Sequence, residues 1–278
     1  MDGLEKARAI ISELFVKDEI AGFLALKMVS GHPIPSLFTR VDELDGLYLG
    51  EVRYPLTKIL TGLARKYPDN TFGILTRACD ERSLIELYKN QQLDPEKVTF
   101  VGMACSGELA EKCDCSRPYP SRIDIGEEVE RHGDPAGVRE IEALPEEERY
   151  RHWMSQFVKC IKCYGCRNIC PVCFCTTCTL EDHNLVHLGG MPPQMPIFHL
   201  VRAIHMADRC IDCGLCEEAC PADIPLRTLY RKVRETVQSL FGYVPGESTE
   251  DLPPLETLGD GTFEIGVRAE SNEVDGGI

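Results

Sequence analysis

The sequence predicts an α/β domain with a parallel sheet, followed by a small cysteine-rich α+β domain and an extended acidic tail. Three observations predict this fold class. A buried strand, an amphipathic helix and a second buried strand follow one another between Thr71 and Val101. Two cysteine runs of identical spacing lie between Cys160 and Cys220. From about Gly246 the chain is acidic and rich in glycine and proline, so we expect that part to be extended.

The N-terminal α/β domain is expected to span residues 1–125. Apolar residues recur at helical spacing from Leu4 to Leu14, with Asp2 as the N-cap. The stretch S-G-H-P-I-P is expected to form a loop, because it contains two prolines and a glycine. The predicted elements are a helix over 2–17, a strand over 20–28, a helix over 56–63, a strand over 71–76, a helix over 81–91 and a strand over 98–101.

The composition limits the classes of function. The chain has 278 residues and a formal net charge of −15. Nucleic acid carries negative phosphates, so a nucleic-acid partner is not expected. No apolar stretch approaches the length of a membrane span, and the first ten residues are typical of a helix start, not an export signal. Fifteen cysteines without an export signal indicate a reducing cytoplasm, an anaerobic source and metal ligation.

The two cysteine runs share one pattern. The first, C-I-K-C-Y-G-C-R-N-I-C-P, and the second, C-I-D-C-G-L-C-E-E-A-C-P, both read C-x2-C-x2-C-x3-C-P. This is the bacterial-ferredoxin pattern for two 4Fe-4S clusters. Zinc sites use two C-x2-C pairs without a third cysteine at the same step, and a disulfide framework needs an oxidising compartment. We therefore expect two 4Fe-4S clusters, with a zinc-stabilised interaction module as the alternative.

The ligands of the two clusters are expected to cross over. In this motif the fourth cysteine of each run ligates the other cluster, because it starts a helix that points away from its own loop. One predicted ligand set is Cys160, Cys163, Cys166 and Cys220. The other predicted ligand set is Cys210, Cys213, Cys216 and Cys170.

The remainder of the chain is divided by composition. A charged, Pro/Gly-punctuated linker is expected over 126–150, the two-cluster domain over 151–243 with an insert at 171–196, and the tail over 244–278. Helices are expected over 197–207 and 226–240. The second helix carries a basic face, for which a solvated surface is favoured over a docking surface. That face comprises Arg227, Arg231, Lys232 and Arg234.

Seven further cysteines lie outside the two runs. Cys79 and Cys105 follow the two central strands, where ligands of α/β sheets bind, and Cys113 and Cys115 follow shortly after. These four predict a possible third cluster, although free cysteines are also often buried as small hydrophobic residues. The insert adds three more, which can complete that third cluster or pack against the first two: Cys173, Cys175 and Cys178. A metal site at His183 and His187, four residues apart, is not favoured.

Several segments resemble one family. They are G-H-P-I-P near the start, T-R-A-C-D-E-R-S-L-I-E-L, V-G-M-A-C-S-G, and C-I-K-C-Y-G-C continuing into C-P-V-C-F-C. Together they resemble the beta subunits of archaeal coenzyme F-420-reducing hydrogenases and formate dehydrogenases, with a two-cluster ferredoxin domain. The resemblance implies electron transfer between clusters and a flavin, which meets a deazaflavin in archaeal members. It also implies partner subunits, as in hydrogenase, formate dehydrogenase or heterodisulfide-reductase-like complexes.

The leading functional prediction is an iron–sulfur electron-transfer subunit of a cytoplasmic redox complex, beside catalytic and flavin or iron–sulfur subunits. The alternative is a flavin-dependent oxidoreductase subunit that acts on a deazaflavin or another soluble acceptor. The sequence has no G-x-G-x-x-G loop to hold a dinucleotide pyrophosphate, so FAD is not part of the leading prediction. No general base or nucleophile stands out, which leaves open whether the chain is itself an enzyme.

Overall fold

The computed structural model of this chain describes residues 3–133, 136–182 and 197–254. The predicted N-cap Asp2, the residues His183 and His187, and the tail from residue 255 lie outside the described residues. The helices are α1 (Gly3–Val16), α2 (Leu56–Lys66), α3 (Ala78–Lys89), α4 (Gly107–Lys112), α5 (Ala136–Glu142), α6 (Glu146–Phe157), α7 (Gly165–Asn168), α8 (Ile197–His205), α9 (Leu215–Glu218) and α10 (Leu226–Phe241). The strands are β1 (Gly22–Val29), β2 (His32–Phe38), β3 (Leu47–Tyr48), β4 (Phe72–Thr76) and β5 (Val98–Gly102).

The N-terminal sheet is mixed, with the strand order β2-β1-β4-β5 and β3 paired to β1. Strands β1, β4 and β5 are parallel, as predicted, whereas β2 and β3 pair antiparallel to β1. The predicted loop S-G-H-P-I-P is therefore wrong, because its last four residues begin β2. Proline lacks an N–H, but β2 is an edge strand, where that loss is tolerated. Ser30 and Gly31 both have positive φ and close the tight turn between β1 and β2.

Helices cover both faces of this sheet. Alternate residues of β1 point to opposite faces, so Phe23 packs towards α1 and Leu24 packs towards α2 and α3. On the α1 side, Ala7 and Ile11 complete one apolar core. On the other side, the leucines of α2 and α3 complete a second. The result is a three-layer α/β/α arrangement, which places the carboxyl ends of β4 and β5 together at one edge.

The C-terminal half packs around a third apolar core formed by α6, α8 and α10. The helices predicted over 197–207 and 226–240 are confirmed as α8 and α10. The stretch 126–150, predicted as a linker, contains α5 and the start of α6. Among the described residues, no helix is both long and apolar enough to cross a lipid bilayer.

The segment after α10 packs against the N-terminal domain, where it donates hydrogen bonds to a buried carboxylate. Glu86 of α3 is fully buried and pairs with Lys89 at 2.7 Å. It also accepts hydrogen bonds from the hydroxyl of Tyr243 and from the backbone N–H of Gly246. The beginning of the predicted tail, up to residue 254, is therefore fastened to α3.

We expect Glu86→Gln to loosen this attachment strongly. The variant leaves the buried ammonium of Lys89 without its counter-charge. Such a loss typically lowers the free energy of unfolding by about 3–5 kcal/mol. Hydrogen exchange should accelerate in peptides covering residues 243–254, and the thermal midpoint should fall. Glu13→Gln is the matched control, because Glu13 pairs with Lys17 on the exposed face of α1. Equal exchange rates in the two variants would contradict this role for Glu86.

Candidate cysteine-lined metal centres

The eight cysteines of the two runs line two separate cavities, four in each. Cavity one, of about 320 Å³, contains Cys160, Cys163, Cys166 and Cys220 in its wall. Cavity two, of about 390 Å³, contains Cys170, Cys210, Cys213 and Cys216 in its wall. In each case the fourth cysteine comes from the other run. The structure thus brings the thiols together in the same two groups as the crossover pattern, while iron binding itself stays a prediction.

Both runs fold into the same loop. The third and fifth residues of each run have positive φ: Lys162 and Tyr164 in the first, Asp212 and Gly214 in the second. This left-handed backbone turns successive N–H groups inward, as in anion-binding nests of Fe–S sites. In the first run, the N–H of Lys162 lies 3.4 Å from the sulfur of Cys160. Short helices α7 and α9 then carry the chain to the fourth cysteine.

Apolar side chains surround both cavities. Phe157, Ile224 and Leu226 are almost fully buried beside the cysteines of both runs. This burial raises the pKa of the Cys210 thiol to about 11, and it also raises the pKa of Cys213 and of Cys216 well above the usual thiol value. A coordinating metal deprotonates such a thiol outright. Because four buried thiolates would otherwise repel one another, the chemistry of each set favours a bound cationic core.

The spacing of the thiols bears on the kind of metal. Four sulfurs around one zinc ion, with Zn–S bonds of about 2.3 Å, lie about 3.8 Å apart. Across residues 3–133, 136–182 and 197–254, no three His, Cys, Asp or Glu side chains converge in a way that suits one metal ion. A four-iron cluster is larger and holds its thiolates farther apart. Four thiols in the wall of one cavity suit the larger cluster, and the kind of metal stays a prediction.

Four more cysteines, named here the N-domain thiol set, gather at the carboxyl ends of β4 and β5. The set comprises Cys79, Cys105, Cys113 and Cys115. Cys79 is close enough to Cys105 for their charges to interact, and Cys105 is close enough to Cys113 and Cys115 for the same interaction. Burial raises the pKa of Cys79 to about 12 and that of Cys105 to about 11. The fold thus assembles four thiols from an irregular spacing.

The cysteines of the insert lie elsewhere. Cys173, Cys175 and Cys178 line an open groove with Lys58 and Arg167. None of the N-domain thiol set lines this groove. Cys178 packs beside Cys160 of cavity one, whereas Cys175 is exposed. Of the two roles left open for the insert, packing against a centre suits Cys178.

A group of cations holds the cysteine loops in place, and the sequence did not reveal it. Arg202 donates a hydrogen bond of 2.7 Å to the backbone oxygen of Cys166. Arg53 donates a hydrogen bond of 2.7 Å to the backbone oxygen of Cys213. Lys58 donates a hydrogen bond of 3.3 Å to the backbone oxygen of Cys170. Because each cation stands alone in its own helix or loop, no motif marks it beforehand.

The basic face predicted on α10 has a different role from the one expected. Arg227 and Arg231 do not form a solvated surface, since both bind the carboxylate of the buried Asp212. Arg231 also pairs with Asp114 at 2.6 Å, and Arg227 donates to the backbone oxygen of Cys113. These contacts join the second cysteine run to the N-domain thiol set. The two guanidinium groups hold the pKa of Asp212 below its usual range.

Comparison with protein families identifies part of this region. The family model of the 4Fe-4S binding domain matches residues 203–225, which include the whole second cysteine run. The chain therefore carries an iron–sulfur binding domain there. The number of clusters in the whole chain stays a prediction.

Two curated relatives are formate dehydrogenase subunits. The F-420-dependent formate dehydrogenase subunit beta of Methanocaldococcus jannaschii is 44% identical over 103 residues, 37% of this chain and 27% of the relative. The F-420-dependent formate dehydrogenase 1 subunit beta of Methanococcus maripaludis is 45% identical over 112 residues, 39% of this chain and 29% of the relative. The resemblance to such beta subunits is confirmed over this part of the chain. Each match spans less than a third of the relative.

Proposed function

We propose that this chain is an iron–sulfur electron-transfer subunit of an oxidoreductase complex. The observation that carries the proposal is the pair of cavities, each walled by four thiols from both runs. Cavity one would hold a 4Fe-4S cluster through Cys160, Cys163, Cys166 and Cys220, and cavity two through Cys170, Cys210, Cys213 and Cys216. A bound cluster of this type accepts and releases single electrons.

The N-domain thiol set would hold a third cluster, and the contacts between the sites suggest their order. Cys213 of cavity two is close enough to Cys79 for their charges to interact. Arg53 binds the backbone of Cys213, and its charge also acts on Cys79 and Cys113. We infer from these interactions that cavity two lies between cavity one and the N-domain thiol set. Three centres in this order would form a continuous path through both halves of the chain.

The protein's contribution is to position and shield the centres. Apolar packing around Phe157 and Leu226 shields much of both cavities from water, and the inward N–H groups of Lys162 and Gly165 stabilise the sulfurs of the first run. Cys163 is the exposed member of its set. We infer that cavity one is the end at which electrons are exchanged with a partner, and the N-domain thiol set is the other end.

The relatives suggest the kind of complex. Both are beta subunits of F-420-dependent formate dehydrogenases. By analogy, the partner of this chain would be a catalytic subunit that oxidises or reduces a small substrate, with the chain carrying the electrons. Formate is the first substrate to test.

The alternative, a flavin-dependent subunit, has one observation in its favour. A cavity of about 540 Å³ lies beyond the ends of β4 and β5 and is lined by Arg53, Arg77 and Cys79. Both arginines are already engaged, however. Arg53 binds Cys213 and Glu218, and Arg77 binds backbone oxygens of the preceding loop. A flavin phosphate would have to displace these contacts, so the cluster path is favoured.

Elemental analysis of the anaerobically purified chain tests the proposal. We expect about twelve irons and about twelve acid-labile sulfides per chain, a broad brown absorbance and no flavin released on denaturation. About eight irons would support a cluster in each of the two cavities and would contradict a third cluster. A stoichiometric flavin would favour the alternative, and zinc without iron would refute the proposal.

A further inference from the structure

Arg202 of α8 is a buried cation between the two cavities. Its side chain is 3% exposed. One guanidinium nitrogen, Nη2, donates to the backbone oxygen of Cys166, which belongs to cavity one. The same side chain lines cavity two, beside Cys170 and Cys216. Its charge therefore acts on thiols of both groups, Cys166 of cavity one and Cys216 of cavity two.

In the part of the chain that the structure describes, no carboxylate pairs with this cation. Among the residues that the structure describes, none of the ion pairs includes Arg202, and its Nε has no hydrogen-bond partner. Another polar neighbour is Tyr230, whose ring lies 6.0 Å from the guanidinium and whose buried hydroxyl has no partner among the described residues. Burying an uncompensated charge costs several kcal/mol. A counter-charge must therefore come from what the cavities hold.

Beside the Tyr230 hydroxyl, the acidic groups that act on the guanidinium of Arg202 are thiols. The charges of Cys166, Cys170 and Cys173 act on Arg202, and Arg202 in turn acts on Cys216. Arg227 also lines cavity two, but its charge is balanced by Asp212. The unbalanced charge of Arg202 is therefore directed at the contents of both cavities.

Resting on the proposed function, we propose that Arg202 is the shared counter-cation of the two centres and sets both reduction potentials. Reduction adds one electron and hence one negative charge to a centre. A fixed positive charge in a site of low dielectric stabilises that reduced form, which raises the potential. Because it faces both cavities, Arg202 also weakens the repulsion between two reduced centres. Its role is that of a positioning residue acting on the cofactors by charge.

The test is a redox titration of the full chain, followed by electron paramagnetic resonance, with Arg202→Met and Arg202→Lys. In Arg202→Met, the ratio of reduced to oxidised form at a given potential should fall about tenfold at both centres. For a one-electron step, this corresponds to a reduction potential that is about 59 mV lower. Arg202→Lys keeps the charge and should recover most of this loss. A centre held by the N-domain thiol set should keep its potential, since Arg202 does not face it.

Controls separate this role from a structural one. Arg65→Gln removes an exposed arginine from the groove of the insert and should change neither potential, because solvent screens its charge. Arg202→Gln is the second neutral variant, because it removes the charge but keeps a hydrogen-bond donor in the side chain. Three outcomes would overturn the inference. The first is a neutral variant with full iron and unchanged potentials, and the second is a shift at one centre alone. The third is an equal shift in the Lys and Met variants. Wild-type protein without iron would instead refute the proposed function.

Discussion

Cys163→Ala is expected to remove about four irons per chain, and Cys170→Ala another four, because each deletes one ligand of a different cluster. The two cysteines lie seven residues apart in the same run, yet they line different cavities. The double variant Cys163→Ala/Cys170→Ala should therefore lose about eight irons. The double variant Cys170→Ala/Cys210→Ala should lose only about four, since both of these thiols line cavity two.

Iron analysis and cluster absorbance measured anaerobically distinguish this arrangement from its opposite. If each run ligated its own cluster, Cys163→Ala/Cys170→Ala would lose four irons and Cys170→Ala/Cys210→Ala would lose eight. Cys175→Ala is the matched control. Cys175 is an exposed thiol of the insert, and its removal should leave the iron content unchanged.

The second large effect concerns the N-domain thiol set. Cys105→Ala and Cys113→Ala should each remove about four irons from a total of about twelve, and their double variant should also remove about four. Electron transfer from cavity one to cavity two should persist, while transfer through the whole chain should stop. Anaerobic iron analysis and a stopped-flow reduction assay measure the two effects.

The result against a third cluster is equally definite. If Cys105→Ala and Cys113→Ala keep all the iron of the wild type, the N-domain thiols are buried small side chains and the path ends at cavity two. Ser106→Ala is a suitable control beside Cys105. Ser106 caps α4 through the N–H of Leu109, so its loss should lower stability without changing the iron content.

The parts of the fold that could be predicted are those in which local pattern and tertiary packing agree. Strands β4 and β5 are short apolar runs bounded by turn residues, and α10 repeats its apolar residues at helical spacing. The edge strand β2 was missed because its prolines oppose strand formation in general. They are compatible with this strand only because its outer edge has no neighbour in the sheet.

The candidate site likewise has residues that could be predicted from the sequence and residues that could not. The eight thiols of the two cavities could be predicted because the spacing of a loop around a cluster is fixed in sequence. The proximity of Cys79 to Cys105 depends on how β4 and β5 come together, and no local pattern encodes it. Arg202 and Arg53 are still less visible, since an isolated arginine in a sequence is most often a surface residue. Their roles emerge only from burial and from the carbonyls that they contact.

The exchange of cysteines between the two cavities also constrains how the protein is made. Cavity one takes three of its thiols from the first run and the fourth, Cys220, from a point 54 residues after Cys166. A ribosome adding about 5–20 residues per second needs about 3–11 s to cover that distance. During this interval the nascent first run presents thiols without a complete site. Iron loading would therefore follow synthesis of the second run, and both centres would be filled late, in a chain whose N-terminal sheet has already formed.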